Sequence, residues 1–103
     1  MGASLRKLTL VCPREIQATL ADVLDDIEPP IPGYTVVASS GHGPDTKLSS
    51  AYEKVRGAIR TSMFQLILPE ERVQDVLDVI VNGCRRPQIA YWVERVEDFG
   101  RLT

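Results

Sequence analysis

Residues 8–15 read LTLVCPRE and residues 64–71 read FQLILPEE. Each is a short apolar stretch that runs directly into a proline, with an acidic residue within the next two positions. Proline suits a first helical turn, where its missing N–H costs nothing. Beyond the proline both copies have helical spacing. Ile16, Leu20, Val23, Leu24 and Ile27 fall on one face, as do Val73, Val76, Leu77, Ile80, Val81 and Cys84, with charge on the far side. The first helix is expected to stop before Pro29-Pro30, and the second near Asn82-Gly83, a C-cap signal. A strand then returns in each copy: Tyr34–Ser39 after the first helix, Ile89–Val93 after the second.

Strand-helix-strand, twice, predicts an α+β fold. It is the ferredoxin-like βαββαβ sandwich, a four-stranded antiparallel sheet with two helices on one face. A single domain spanning 1–103 is expected from the length. Phe64, Leu66 and Leu68 are read as the helix-facing side of strand three, leaving Met63, Gln65 and Ile67 opposite. In strand four, Ile89, Tyr91 and Val93 alternate with Ala90 and Trp92. A sheet with one wet face should alternate cleanly with polar residues. This one carries apolar groups on both faces, so a second subunit is the expected cover.

In such a fold, strands one and two run one way, and three and four the other. The ends of strands one (Cys12-Pro13) and two (Gly41-His42-Gly43) therefore share an edge with the end of helix two (Cys84-Arg85-Arg86). The connection 44–60 springs from the same edge and is 17 residues long. Loops beyond roughly 12–15 residues are uncommon in compact domains and often functional. It carries Lys47, Lys54, Arg56 and Arg60 against Asp45 and Glu53. With Arg85 and Arg86 it makes one edge locally basic, although the chain carries a net charge of −2.

Glycines let a backbone approach a ligand and present its N–H groups, and basic side chains add charge-assisted bonds to phosphate oxygens. An anionic small molecule is the ligand class this composition fits. Each feature also has a plain structural reading. Gly41 and Gly43 end a strand equally well, Arg85-Arg86 complements a helix dipole, and the loop cations form a solvated face. The net charge gives no general drive toward nucleic acid. No nucleophile–base set or paired-carboxylate site is evident, so the expectation is not an enzyme. The N-terminus lacks the apolar core of a signal peptide and no apolar run reaches the ~20 residues of a membrane span. A cytoplasmic location is expected. Cys12 and Cys84 form no CxxC motif and read as small buried hydrophobes, or as a redox or soft-metal pair.

The segments GYTVVASSGHG, VRGAIRTSMFQLILPEERVQDVLDVI and YWVERVEDFGRL resemble the PII signal-transduction superfamily over nearly the whole chain. The likeness extends to a small PII-like branch sharing the S-G-H-G and F-G-R-L segments. Gly41-His42-Gly43 resembles the family's Gly-aromatic-Gly step, and 44–60 lies where its T-loop follows. Val96-Glu97-Asp98-Phe99-Gly100-Arg101 resembles its terminal Val-Glu-x-Val/Phe-x-Arg run. The resemblance implies a homotrimer binding an adenine nucleotide as effector between subunits, with no required cofactor. It carries over to Gly41, Gly43 and Arg101, and by location to His42, Lys47, Arg56, Arg60, Arg85 and Arg86. It implies signalling to a protein target through 44–60. The branch's association with heavy-metal efflux points to a membrane transporter or efflux component as that target. The chain departs from nitrogen-regulatory members: the loop before strand four is only Cys84–Gln88, and Val55 stands where a modified tyrosine would precede Arg-Gly-Ala. A second reading is similar to the copper-tolerance CutA family, which shares the trimeric ferredoxin-like fold; it assigns His42, Cys12 and Cys84 as metal ligands in a heavy-metal tolerance role. A third is an interaction module with no small ligand.

Overall fold

The computed structural model describes residues 4–43, 58–84 and 88–103. Strand β1 covers Leu5–Pro13, and a 3-10 turn over Arg14–Ile16 leads into helix α1, Gln17–Asp25. Strand β2 is Thr35–Gly41 and β3 is Ile59–Pro69. A second 3-10 turn, Glu70–Arg72, opens helix α2, Val73–Cys84, and β4 is Ala90–Val96. The duplicated prolines end strands here: Pro13 and Pro69 are extended and sit just before their turns.

The sheet order is β2-β3-β1-β4 and every pair is antiparallel. This is the ferredoxin-like arrangement expected from the repeat. The two apolar strands of the repeat pair with each other, Leu8 opposite Leu66 and Leu10 opposite Phe64. They fill the centre of the sheet, and both helices cover one side. Leu8, Leu10, Cys12, Phe64, Leu66 and Leu68 meet Ile16, Leu20, Leu24, Ile27, Val76 and Ile80 in a single core. Phe64 is completely buried; truncating such a side chain to alanine costs ~3–5 kcal/mol. The buried Ser62 hydroxyl donates to Gln17 Oε1, so a polar group under α1 is satisfied by α1 itself.

Two details differ from the sequence reading. The helical spacing puts Val81 on the apolar stripe of α2, yet it is 65% exposed. The stripe is narrower, with Val73, Leu77 and Cys84 packing only at its borders. Gly83 does not cap α2, which continues to Cys84. A Cβ at Gly83 would lie 2.7 Å from Val23 Cγ2. The glycine is there because α1 and α2 approach too closely for a side chain.

Neither helix covers the other face of the sheet, which is bare of described secondary structure. Val37 and Trp92 project there and are each 44% exposed, on the same face as Met63 and Val11 by register. Trp92 Nε1 donates to Glu94 Oε1 at 3.1 Å, and Lys7 lies 3.8 Å from Glu94. This charged pair sits toward one end of the face, and the strip from Val37 through Met63 to Val11 carries no charge.

Candidate functional site

Register fixes which chain segments meet. Pro13 stands opposite Thr61, Gly41 opposite Ile59, and Val11 opposite Ala90. The ends of β1 and β2 and the starts of β3 and β4 therefore lie along one edge. Helix α2 starts beyond β3 at the opposite edge and brings Cys84 back to this one. Gly41, His42, Gly43, Arg60, Cys12 and Cys84 are gathered at this edge as the topology predicts. Lys47, Arg56, Arg85 and Arg86 lie outside the described residues, as does most of the connection.

Arg60 is not a loop residue. Strand β3 begins at Ile59, so Arg60 pairs with Ser40 inside the sheet, with an exposed side chain. The connection accordingly runs over 42–58. β-branched Ile59 and Thr61 favour extended backbone, and the sheet captures Arg60 between them.

Sequence reasoning missed Arg14. Its Nε and Nη2 donate to the Thr61 carbonyl oxygen at 3.1 and 2.7 Å, and Nη2 also donates to the Ser39 carbonyl oxygen at 2.9 Å. Ser39 and Thr61 face each other across the β2–β3 ladder, and their hydroxyls bond at 2.6 Å. One guanidinium thus clamps the two strands just below the root of the connection. A signal existed: a cation in a first helical turn opposes the helix dipole, so Arg14 needed another partner.

The glycines have distinct causes. A Cβ at Gly41 would sit 3.0 Å from Ile59 Cγ2 and 3.2 Å from Thr61 Cγ2. That is tight, because the neighbouring strand packs over the position. Gly43 adopts φ 143°, a conformation that side chains disfavour. The turn into the connection therefore requires glycine at Gly43 for backbone reasons.

Neither Cys12 nor Cys84 is in a disulfide. The Cys12 thiol is pushed from 9.0 up to about 11, chiefly by burial and then by the nearby Cys84, against a backbone hydrogen bond with Ser62 that works the other way. Among the described residues no group of three or more His, Cys, Asp or Glu side chains gathers as a metal site. No helix among them is long and apolar enough to cross a membrane.

Arg101 is not brought to this edge within one chain. Strand β4 ends at Val96, opposite Leu5, at the far end of the sheet. From the level of Pro69 to that of Ile59 the sheet runs ten residues, or about 33 Å at ~3.3 Å per residue. Arg101 lies five positions past Val96, which allows about 17 Å of fully extended chain. Even with its long side chain, Arg101 falls short of Gly41 of its own chain.

An antiparallel β2-β3-β1-β4 sheet with two helices on one face is the ferredoxin-like fold, a class that PII-like proteins share. The family described as "Protein of unknown function (DUF3240)" matches residues 3–103, and the chain belongs to it. Its structure is similar to that of a DUF3240-family protein of Shewanella baltica, with TM-score 0.78, 17% identity, and 100% of each chain covered. It is similar to CPII of Thiomonas intermedia, a nitrogen regulatory PII-like protein bound to ADP, AMP and bicarbonate. There the TM-score is 0.70 at 23% identity, with 97% of each chain covered. It is also similar to Arabidopsis thaliana PII bound to citrate, with TM-score 0.73, 18% identity, 97% of this chain and 84% of that one. No curated protein matches the chain.

Proposed function

We propose that the protein is a PII-like regulator that binds an anionic effector, an adenine nucleotide, at the connection edge and signals through residues 42–58 to a protein target. The observation that carries this reading is the convergence of Gly41-His42-Gly43, the start of β3 and the end of α2 at one edge. The fold shared with a protein bound to ADP and AMP supports it. Backbone N–H groups of the glycine step and nearby cations are the groups a phosphate needs. Ordering a basic connection around an anion is an ordinary switch mechanism, since the effector's differential contacts shift the population of one arrangement. The protein acts as a binding module, not an enzyme.

Arg101 joins this site from a neighbouring copy, because its own chain cannot deliver it. The bare apolar face supports the oligomer that this requires, a homotrimer. Isothermal calorimetry with ATP, ADP, AMP and cyclic AMP tests the reading. Saturable heat from one of them, lost in Arg101→Ala, is the expected result. Absence of heat from all four with a folded oligomer defeats it. The metal-binding alternative has less behind it, since His42 and two thiols do not form a cluster of three ligands.

A further inference from the structure

Cys12 and Cys84 are distant in sequence and neighbours in the fold. Cys12 lies on the helix-facing side of β1, opposite Ser62, and is 1% exposed. Cys84 is the last residue of α2 and packs half-buried against the core cluster to which Cys12 belongs. The link from Cys84 to β4 is short, and Ala90 at its far end pairs with Val11, the residue before Cys12. Gly83, the residue before Cys84, packs against Val23 of α1. The proximity is also electrostatic, since a charge on Cys84 acts on the Cys12 thiol.

We propose that Cys12 and Cys84 form a reversible thiol–disulfide pair that closes on exposure to a hydroperoxide and pins the end of α2 to the end of β1. Cys84 is the thiol that meets the oxidant, because it is partly exposed while Cys12 is buried and its high pKa leaves little thiolate. The Cys84 sulfur attacks the peroxide, the O–O bond breaks, and a sulfenic acid forms with release of water or the alcohol. The Cys12 sulfur then attacks the sulfenic sulfur, the S–O bond breaks, and a second water leaves. Two electrons pass from the thiols to the peroxide. A dithiol such as dithiothreitol reverses the bridge by exchange. Oxidation thereby fixes α2 at the connection edge, where the proposed effector would sit.

The test treats the full-length protein with hydrogen peroxide and follows intact mass, free-thiol titre and peptide mapping. The expected product is a monomeric chain lighter by two hydrogens, with Cys12 and Cys84 peptides linked and both thiols restored by dithiothreitol. Amides at the end of α2 should then exchange at least tenfold more slowly than in the reduced protein. Cys12→Ser should divert Cys84 to a sulfinic acid or an intermolecular dimer. Sulfinic acid at Cys84 in the unmodified chain, with Cys12 still free, overturns the proposal. So does a bridge that forms only between copies. These readouts need no nucleotide, so a protein that binds none would defeat the proposed function and leave the thiol pair standing.

Discussion

Arg14 holds the carbonyl oxygen of Thr61 from two guanidinium nitrogens, at 3.1 and 2.7 Å, and so ties the first turn after β1 to the start of β3. The same group reaches Ser39 on β2, so one side chain outside the sheet joins two strands near the connection. Hydrogen bonds from charged groups stabilise by ~1.5–3 kcal/mol when buried, and partial exposure reduces this. Arg14→Ala is expected to cost about 1 kcal/mol in urea unfolding and to speed hydrogen exchange at Gly41 and His42. Unchanged exchange there would show that the clamp does not hold the root of the connection.

Gly83 against Val23 is a second close relationship. Gly83→Ala gains helix propensity of about 1 kcal/mol, yet its Cβ would meet Val23 Cγ2 at 2.7 Å. Overpacking of this kind typically costs ~1–3 kcal/mol. We expect net destabilisation, and relief when Val23→Ala is added, so that the double variant is more stable than the sum of the singles. Additive effects would place the cost elsewhere.

Among the described residues, two groups with raised pKa values make stability depend on alkaline pH. Cys12 rises from 9.0 to about 11, and Tyr34 from 10.0 to about 12, through burial and then its hydrogen bond to Asp25, which it reaches at 2.8 Å. Between each pair of values the unfolded chain releases a proton that the folded chain retains, so stability falls as pH rises. Stability attributable to these groups is intact below pH 9.0 and is lost progressively toward pH 12. Urea titrations across this alkaline range should show the decline, and Tyr34→Phe should flatten its upper part. An identical slope in that variant would remove Tyr34 from the account.

Val37 stands beside Met63 on the bare face of the sheet and is 44% exposed. If copies assemble through this face, a buried carboxylate there is severely unfavourable. Val37→Asp should shift sedimentation from oligomer to monomer while far-ultraviolet circular dichroism stays native. An oligomer that survives the change would assign assembly to another surface.

How much of this is legible in the sequence depends on what each residue interacts with. The strands LTLVCP and FQLILP stand out because the sheet pairs them with each other, and local periodicity carries the helices. The bare face is readable because Trp92 and Met63 alternate with core residues. Gly83 misleads because a cap and a close helix contact both select glycine, and only the position of Val23 on the other helix tells them apart. Arg60 is misplaced by composition because β3 extends to match β2, a long-range pairing that no local pattern reports. Arg14 is overlooked because its partners are backbone carbonyls 25 and 47 residues away. The resemblance to PII proteins puts Arg101 at the glycine site; the register of β4 separates the two within one chain.

That separation permits a decisive experiment on the proposed site. Gly43→Ala would disturb the φ 143° turn, and Arg101→Ala would remove the cation. Each homo-oligomer should lose adenine-nucleotide binding. If Arg101 serves a neighbouring copy, co-refolding the two variants in equal amounts rebuilds sites from the intact Gly43 of one chain and the intact Arg101 of another. Random assembly around a closed ring makes about a quarter of the interfaces fully native. Calorimetry of the mixture should recover that fraction of binding. If Arg101 acted within its own chain, every chain in the mixture would carry one defect and no binding would return. The geometry of β4 predicts recovery, because about 17 Å of tail cannot close a gap of about 33 Å.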